Sequence, residues 1–246
     1  MTDRSTQPQW YLEARREVSE VFARARKTRS EVHDSPSGRY QLEITSYSTG
    51  PHTWGYSRGR VSIVPEGRVI ADVLRSSDAF PFSWCEGHLD GHAYLICGED
   101  YQGQTVIELD TGDRVDCVDP AAERGVAFCW AAHYPSPDGK FLFVDGCIWA
   151  APYELVLFDF SRPMQLPYPE LRRWSVWKVD GFQADGSFVF EYSEEVRRSD
   201  GKPLRELTDE EDAELDGAPR YQDVVGEKRY RVVWHPDRAE EVTALD

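Results

Sequence analysis

The chain has 246 residues, of which 40% are hydrophobic and 13% aromatic, and its net charge at pH 7 is −16. This composition is too apolar for a disordered chain, and the negative charge disfavours nonspecific binding to nucleic acid or to an anionic membrane surface. No apolar run approaches the ~20 residues of a membrane-spanning helix, and the N-terminus lacks the apolar segment of a signal peptide. We therefore expect a cytoplasmic protein without a nucleic-acid or membrane partner.

Residues 9–30 carry the one strong helical pattern of the chain. Their apolar side chains fall at spacings of three and four: Trp10, Ala14, Val18, Val21, Phe22 and Ala25. So narrow a stripe is typical of a helix that docks on one surface of its own domain, and a partner helix or a membrane is the alternative surface. We expect residues 1–33 to form an N-terminal helix packed on a single β domain, which spans residues 34–246.

Four glycine-containing turns follow the helix, and each opens into an apolar run of period two. Their glycines, spaced by 53, 48 and 47 residues, are Gly38, Gly91, Gly139 and Gly186. A repeat of this period predicts four antiparallel meanders of four strands each, the size of β-propeller blades. The predicted fold class is all-β: four such meanders in a small or open β-propeller-like array, with an N-terminal α-helix.

The alternation of apolar and polar residues places the strands of the later meanders. In the third meander, strands are predicted at 128–133, 141–144, 153–158 and, as a short last strand, around 164–166. In the fourth meander, they are predicted at 174–179, 188–192, 230–234 and 240–245. The innermost strand of the first meander, at 28–34, is polar and shows the weakest pattern. Trp84, Trp130 and Trp177 lie at matching positions of first strands, so we expect all three in the core.

The third meander also carries a recognisable repeat sequence. Ser-Pro-Asp-Gly-Lys-Phe-Leu-Phe-Val at 136–144, followed by Leu-Val-Leu-Phe-Asp at 155–159, resembles the repeat of WD-type and TolB-type β-propellers, most clearly over residues 128–166. In those families the Pro-Asp-Gly turn joins the two inner strands of a blade. The Gly-His and Trp-Asp dipeptides of WD repeats are missing here. The resemblance implies an architecture and no activity, because propellers host both scaffolds and enzymes.

In a propeller, the loops between the second and third strands of each blade gather on one face, and we call them the mouth loops. The binding residues predicted in these loops are His52, Trp54, Glu99, Asp100, Tyr101, Asp145, Trp149 and Tyr153. Aromatic rings mixed with carboxylates suit a sugar, a cation or an arginine-rich peptide. The alternative is that these aromatic side chains simply plug the mouth of the array.

An acidic insertion interrupts the fourth meander at about residues 193–222. It holds ten acidic residues, and its Thr208-Asp209-Glu210-Glu211 stretch predicts the start of a helix with Thr208 as the cap. The insertion is either a solvated excursion or an acidic arm that docks on a basic protein surface.

The chain shows none of the short motifs that mark common enzymes or cofactor sites. There is no G-x-S-x-G, no P-loop, no dinucleotide fingerprint and no H-E-x-x-H, and the five cysteines are scattered without a C-x-x-C pair. Three histidines invite a zinc hypothesis, but ordinary turn histidines are the favoured interpretation: His88, His92 and His133. We expect no metal, no cofactor and no catalytic residue, and cysteines that are reduced thiols.

Three hypotheses of function remain open. The first is a non-catalytic interaction module that binds a basic protein partner through the mouth loops and the acidic insertion. The second is a glycan-directed hydrolase or sugar-binding protein that uses carboxylates in the mouth, with Glu99 and Asp100 facing Asp145. The third is a structural protein that forms a homo-oligomer, in which an open sheet edge pairs with a second copy.

Overall fold

The computed structural model describes residues 7–98, 102–149, 151–216 and 220–245. They fall into two compact units. The first comprises the described residues up to Pro152 together with Val156–Arg172, and the second comprises Tyr153–Leu155 and the described residues from Arg173 onward. The boundary at residue 34 and the single β domain expected from the sequence stay predictions. Within the described ranges, no helix is both long enough and apolar enough to cross a membrane.

The N-terminal helix α1 spans Gln9–Phe22, so it ends eight residues before the expected end at residue 30. The chain then turns through Ala25, whose N–H donates to the Val21 carbonyl at 2.9 Å, and enters strand β1 at Arg26–Asp34. Strand β1 pairs along its length with the next strand. These backbone hydrogen bonds join the segment to the neighbouring strand, and they override the helical tendency of the local sequence.

Helix α1 is seated on the β structure of the first unit at both of its ends. Near its start, Tyr11 is only 2% exposed and packs in a small cluster with Val118, Ala122 and Ala127. At its end, the Phe22 ring packs edge-on against Tyr47, with ring centroids 5.0 Å apart, and against Tyr56 at 6.0 Å. Tyr11 was absent from the predicted apolar stripe, yet it is the buried residue of the helix.

The first two meanders are separate four-stranded antiparallel sheets, and each runs in chain order. The first contains β1, β2 (Tyr40–Ser48), β3 (Gly55–Ile63) and β4 (Arg68–Arg75). The second contains β5 (Ser83–Cys85), β6 (Tyr94–Cys97), β7 (Gly103–Glu108) and β8 (Arg114–Val118). The polar segment 28–34 therefore is a strand, although its side chains are mostly exposed.

The third meander contains β9 (Phe128–Pro135), β10 (Phe141–Ile148), β11 (Glu154–Asp159) and the start of β12 (Glu170–Phe182). The short strand expected at 164–166 is wrong, because these residues form a turn in which the Gln165 N–H donates to the Arg162 carbonyl at 3.0 Å. Pro163 and Pro167 flank this segment and lack the N–H groups that a strand ladder needs. The last strand begins later, where Asp159 N–H donates to the Pro169 carbonyl at 3.0 Å.

The fourth meander contains the later part of β12, β13 (Phe188–Arg197), β14 (Val225–Trp234) and β15 (Glu241–Leu245). The hairpin of β13 and β14 continues to the pair Arg197↔Val225, so it is longer than expected. Between these strands lie helix α2 (Asp209–Asp216) and the short helix α3 (Tyr221–Val224). The part of the acidic insertion that is not strand therefore begins after Arg197, and its residues Glu194 and Glu195 lie in β13.

The predicted fold class, an all-β series of antiparallel meanders with an N-terminal α-helix, is confirmed. All four predicted turn glycines have a positive φ, between 70° and 86°: Gly38, Gly91, Gly139 and Gly186. Each donates its N–H to the carbonyl three residues earlier, at 2.8 to 3.0 Å. This left-handed conformation is easy for glycine and strained for other residues. The closer relation to WD-type and TolB-type repeats stays a prediction.

Strand β6 shows how the sheets of the first unit build a core. All four of its residues are buried, and they alternate between two clusters. Leu95 and Cys97 pack toward the first sheet with Tyr40 and Leu42, whereas Tyr94 and Ile96 pack toward the third with a larger set: Trp130, Leu142, Val144, Val156, Phe158 and Phe160. Because side chains of a strand alternate with period two, one strand buries apolar surface on both sheet faces.

The expected core position of Trp177 is wrong, since 58% of this residue is exposed. Strand β12 has a bulge at this point: Val176 and Lys178 pair with the consecutive residues Tyr192 and Glu191, which leaves Trp177 as the extra residue. A bulge shifts the alternation of side chains between the two faces. The buried indole of this strand is Trp174, which is 5% exposed and packs on Phe190 at 4.9 Å.

Candidate functional site

The mouth loop of the first meander presents an exposed indole. His52 lies in the turn after β2 with φ of 55°, and Trp54 directly before β3 is 56% exposed. The loop is closed by Ser48 Oγ, which donates to the Gly50 carbonyl at 2.6 Å. The Trp54 Nε1–H donates to the Ser76 carbonyl, so the orientation of the ring is set while much of its surface faces solvent.

The mouth loop of the second meander carries Glu99, Asp100 and Tyr101, and these three lie outside the described residues. The residue before them is held by an arginine: Arg75 Nη1 donates to the Gly98 carbonyl at 2.7 Å, and its Nε donates to the Ala79 carbonyl at 2.8 Å. Arg75 is 4% exposed, so a buried cation anchors the start of this loop.

Asp145 was expected in a mouth loop, but it lies within strand β10, which continues to Ile148. Its side chain is half-buried, and its Oδ1 is buried without a hydrogen-bond partner among the described residues. Burial raises the pKa of the Asp145 carboxyl above its usual range. The pKa of Tyr134 is also raised, first by its own burial and then by the nearby Asp145 charge. A desolvated carboxyl of this kind is suited to hold a proton.

Two more predicted residues flank the turn after β10. Trp149 is 64% exposed and Tyr153 is 49% exposed. The turn is closed by Ala151 N–H, which donates to the Ile148 carbonyl at 2.8 Å. Tyr153 belongs to the second unit, where its carbonyl accepts from Val176 N–H at 3.2 Å. The structure thus brings His52 and Trp54 onto one loop and places Trp149 at another turn of the same unit.

Two of the three histidines of the zinc hypothesis, His88 and His92, are held by protein groups. The side chain of His88 is fully buried; its Nε2–H donates to the Phe160 carbonyl at 3.1 Å, and its Nδ1 lies 2.7 Å from Asp90 Oδ1. His92 Nδ1 lies 3.3 Å from Glu108 Oε1. Burial, and then the nearby Arg75 charge, lower the pKa of His133 to about 3. His88 and His92 therefore have structural contacts in the turns where the sequence places them.

Helix α2 is the most acidic element of the structure. Its start is the predicted capping box: Thr208 Oγ1 accepts from Glu211 N–H at 3.3 Å, and Glu211 Oε2 accepts from Thr208 N–H at 2.9 Å. Lys202, at 2.7 Å, is the main contact that lowers the pKa of Glu211 to about 2. Four further carboxylates are exposed and make no ion pair with any described residue: Asp209, Glu210, Asp212 and Glu214. The helix therefore presents uncompensated negative charge to solvent.

Trp177 is a surface aromatic that sequence reasoning missed. The Arg229 guanidinium lies over its ring, 4.9 Å from the centroid, in the second unit. Its matching position in a first strand predicted Trp177 in the core, and no local pattern marks the bulge that exposes it. The nearby Trp174, three residues earlier, was the available signal that another indole could fill the buried position.

Comparisons with known proteins show similarity in sequence and distant similarity in structure. No protein-family model matches the chain. Among solved structures, it is similar to Kuenenia stuttgartiensis hydrazine synthase, with 12% identity and a TM-score of 0.40, over 87% of this chain and 64% of that one. It is also similar to the β-propeller domain of the Trilobed protease from Pyrococcus furiosus, with 10% identity and a TM-score of 0.43, over 89% of this chain and 57% of that one. The chain thus spans less than two thirds of the length of either structure.

In sequence, the chain is similar to the uncharacterized protein R762 of Acanthamoeba polyphaga mimivirus. The two are 30% identical over 183 residues, which cover 70% of this chain and 71% of the viral protein. Because this identity extends over more than two thirds of both sequences, the chain belongs to the family of mimivirus protein R762.

Proposed function

We propose that the protein is a non-catalytic interaction module that binds a basic protein partner through its mouth loops and helix α2. The observation that carries the proposal is the exposure of large aromatic side chains at the mouth loops. Trp149 is 64% exposed and Trp54 56%, whereas Trp130 in the core of the same unit is 8% exposed. Tryptophan is enriched among the residues that dominate binding energy in protein interfaces.

Charge indicates what kind of partner these surfaces suit. The four unpaired carboxylates of α2 attract cationic groups over a distance, which raises association rates and is weakened by salt. Exposed indole rings add a short-range preference for guanidinium and ammonium groups through cation–π contact. Both features favour a partner surface rich in arginine or lysine.

Neutralising the acidic face of α2 is expected to weaken binding of a fluorescent nona-arginine peptide by about tenfold or more at low salt. The variant carries Asp209→Asn, Glu210→Gln, Asp212→Asn and Glu214→Gln, and it keeps Glu211, which forms the capping box and the Lys202 ion pair. Fluorescence anisotropy measures the dissociation constant. Circular dichroism checks that the helix content is unchanged.

The matched control removes the same number of charges elsewhere. It carries Glu17→Gln, Glu20→Gln, Glu123→Gln and Asp237→Asn, all at exposed positions. We expect the control to bind the peptide within about threefold of the parent protein, because diffuse charge contributes less than a local cluster. Trp54→Ala and Trp149→Ala in the parent protein should each weaken binding. Equal losses in the two charge variants, with no effect of either tryptophan, would contradict the proposal.

A second candidate function is glycan hydrolysis, and the observation that favours it is the environment of Asp145. A half-buried carboxyl with a raised pKa, whose Oδ1 has no hydrogen-bond partner in the described part of the chain, resembles a general acid, which must hold a proton near neutral pH. Such a group also destabilises a fold, and proteins keep destabilising groups mainly where function needs them.

Asp145→Asn is therefore expected to raise the urea midpoint of unfolding at pH 7. Because the pKa of Asp145 is raised in the folded state, the protonated carboxyl stabilises the fold at low pH and this stability is lost as pH rises through the folded pKa. The advantage of asparagine should shrink as pH falls toward the ordinary value of 3.8. Asp237→Asn, at an exposed position, is the control and should show little change at either pH.

The same variant separates the two functions. If the protein is a hydrolase, the parent releases nitrophenol from one or more of a panel of nitrophenyl glycosides and Asp145→Asn does not. Absence of release by the parent protein across α- and β-linked hexosides, pentosides and N-acetylhexosaminides would remove this second candidate and leave the interaction module.

A further inference from the structure

A cleft of about 350 Å³ lies beside helix α1 in the first unit. On the helix side it is lined by Arg15, Arg16 and Val18, and on the sheet side by Asp72 and Leu74 of β4 and Arg114 of β8. A volume of this size is within the range of sites that hold small molecules. None of its lining residues lies in a mouth loop or in helix α2.

The way α1 is seated keeps this cleft open. Tyr11 anchors the start of the helix in a buried apolar cluster, and Phe22 anchors its end against Tyr47 and Tyr56. The other lining residues of the helix, 14–16, 18 and 19, lie between these two anchors. Because both ends of the helix are tied to the sheets, the space under its middle is pre-formed, and binding there does not have to order a mobile segment.

The charge around the cleft is opposite to that of the chain as a whole. Three arginines line it, in a protein with a net charge of −16. Asp72, the carboxylate in its lining, accepts a hydrogen bond from Arg58 Nε at 2.8 Å, so its negative charge already has a partner. Arg16 is exposed and makes no ion pair with any residue in the described part of the chain. A cation in this position has room to take an anionic ligand as its partner.

Arg114 is held in a defined orientation at the sheet side of the cleft. Its Nε donates to Asp116 Oδ1 at 2.8 Å, and its Nη1 donates to the Asp72 carbonyl at 3.1 Å. Asp116 also accepts from Thr105 Oγ1 at 2.7 Å and lies 3.6 Å from Arg15. One carboxylate thus positions two guanidinium groups at the cleft. A planar guanidinium fixed by such contacts suits the oxygens of carboxylates and phosphates.

We propose that this cleft binds a small organic anion, whose phosphate or carboxylate group contacts Arg16 and Arg114 and whose apolar body packs on Val18 and Leu74. The anionic group and the apolar wall together define the ligand class: a compact aromatic or aliphatic phosphate ester or carboxylate. The bound ligand bridges α1 and the outer strands of the first two meanders, so it stabilises the folded state by mass action.

The test uses the full chain and four small probes at low salt. Phenyl phosphate and benzoate represent the two anionic groups, inorganic phosphate lacks the apolar body, and phenyltrimethylammonium reverses the charge. Isothermal titration calorimetry measures affinity, and thermal unfolding measures the shift of Tm. We expect at least one aromatic anion to bind about tenfold more tightly than inorganic phosphate and than the cation, because apolar burial and charge both contribute. The better of the two anions identifies the group that the cleft prefers.

Three variants locate the binding. Arg16→Gln should weaken binding of the preferred anion by about tenfold, since one charge-assisted contact is lost. Val18→Phe should also weaken it, because the larger side chain fills the cleft without changing the charge. Arg24→Gln is the matched control at an exposed arginine outside the cleft, and its affinity should equal that of the parent protein.

Failure of both aromatic anions to bind, or equal binding of the cation, would overturn the proposal. So would unchanged affinity in Arg16→Gln, a surface substitution that leaves the packing of α1 intact even if Val18→Phe does not fold. None of these results depends on the nona-arginine peptide or on the glycosides, so this proposal and the proposed function fail separately.

Discussion

Replacing Trp130 by alanine is expected to lower the free energy of unfolding by about 3–5 kcal/mol. Trp130 is 8% exposed, and its ring stacks on Phe158 at 5.5 Å and lies 6.2 Å from Tyr168. The variant removes a large apolar surface from the cluster between the second and third meanders and leaves a cavity that rigid sheets cannot close. Urea denaturation followed by fluorescence and by far-ultraviolet circular dichroism measures the loss.

Trp54→Ala is the matched control in the same unit. Trp54 is 56% exposed and its indole N–H makes one hydrogen bond, to the Ser76 carbonyl, so we expect a loss of about 1 kcal/mol or less. Trp177→Ala tests the corrected position in the second unit and should also have a small effect, because 58% of that residue is exposed. A loss for Trp177→Ala as large as that for Trp130→Ala would contradict the bulge in β12.

Gly139→Ala is expected to cost about 2–5 kcal/mol, the sum of backbone strain and overpacking. Gly139 has φ of 70°, a conformation that alanine rarely adopts. An added Cβ would also lie 2.5 Å from His88 Cδ2 and 2.7 Å from His88 Cα. The second of these contacts involves the backbone, so a change of side-chain rotamer at His88 cannot relieve it.

Gly38→Ala separates the two contributions. Gly38 has φ of 72°, but an added Cβ at this position meets no heavy atom within 4 Å. We expect a cost of about 1–2 kcal/mol from backbone strain alone. The difference between the urea midpoints of unfolding of the two variants measures the destabilisation caused by the contact between the added Cβ and His88. Equal losses would show that the turn of the third meander moves away from His88 at no cost.

These turns connect neighbouring sheets as well as consecutive strands. The segment between β5 and β6 contacts the turns on both sides. Glu86 Oε1 accepts from Ser35 Oγ at 2.9 Å, and its Oε2 accepts from Ser37 N–H at 2.7 Å, both in the turn of the first meander. His88 packs under Gly139 in the turn of the third meander. The repeated turns therefore act as inter-sheet contacts within the first unit, a role that their local sequence does not reveal.

The residues that local sequence predicted correctly are those whose conformation depends on a few neighbours. The four turn glycines need a left-handed backbone, and Thr208 with Glu211 completes a capping box across three residues. Strand β9 was predicted at 128–133 and is observed at Phe128–Pro135, because apolar alternation before a turn is also a local property. From such features the number of meanders and the fold class followed.

The tertiary structure decided the features that depend on how strands pair and how elements pack. Helix α1 ends at Phe22 because β1 pairs with β2, and Trp177 is exposed because a bulge against β13 shifts its strand. Asp145 lies in a strand because β10 pairs with β9 beyond the expected end of the strand. The cleft with Arg16 and Arg114 joins residues almost a hundred positions apart. Periodicity reports which face of an element is apolar, but only the packing of sheets and helix determines which polar groups meet there.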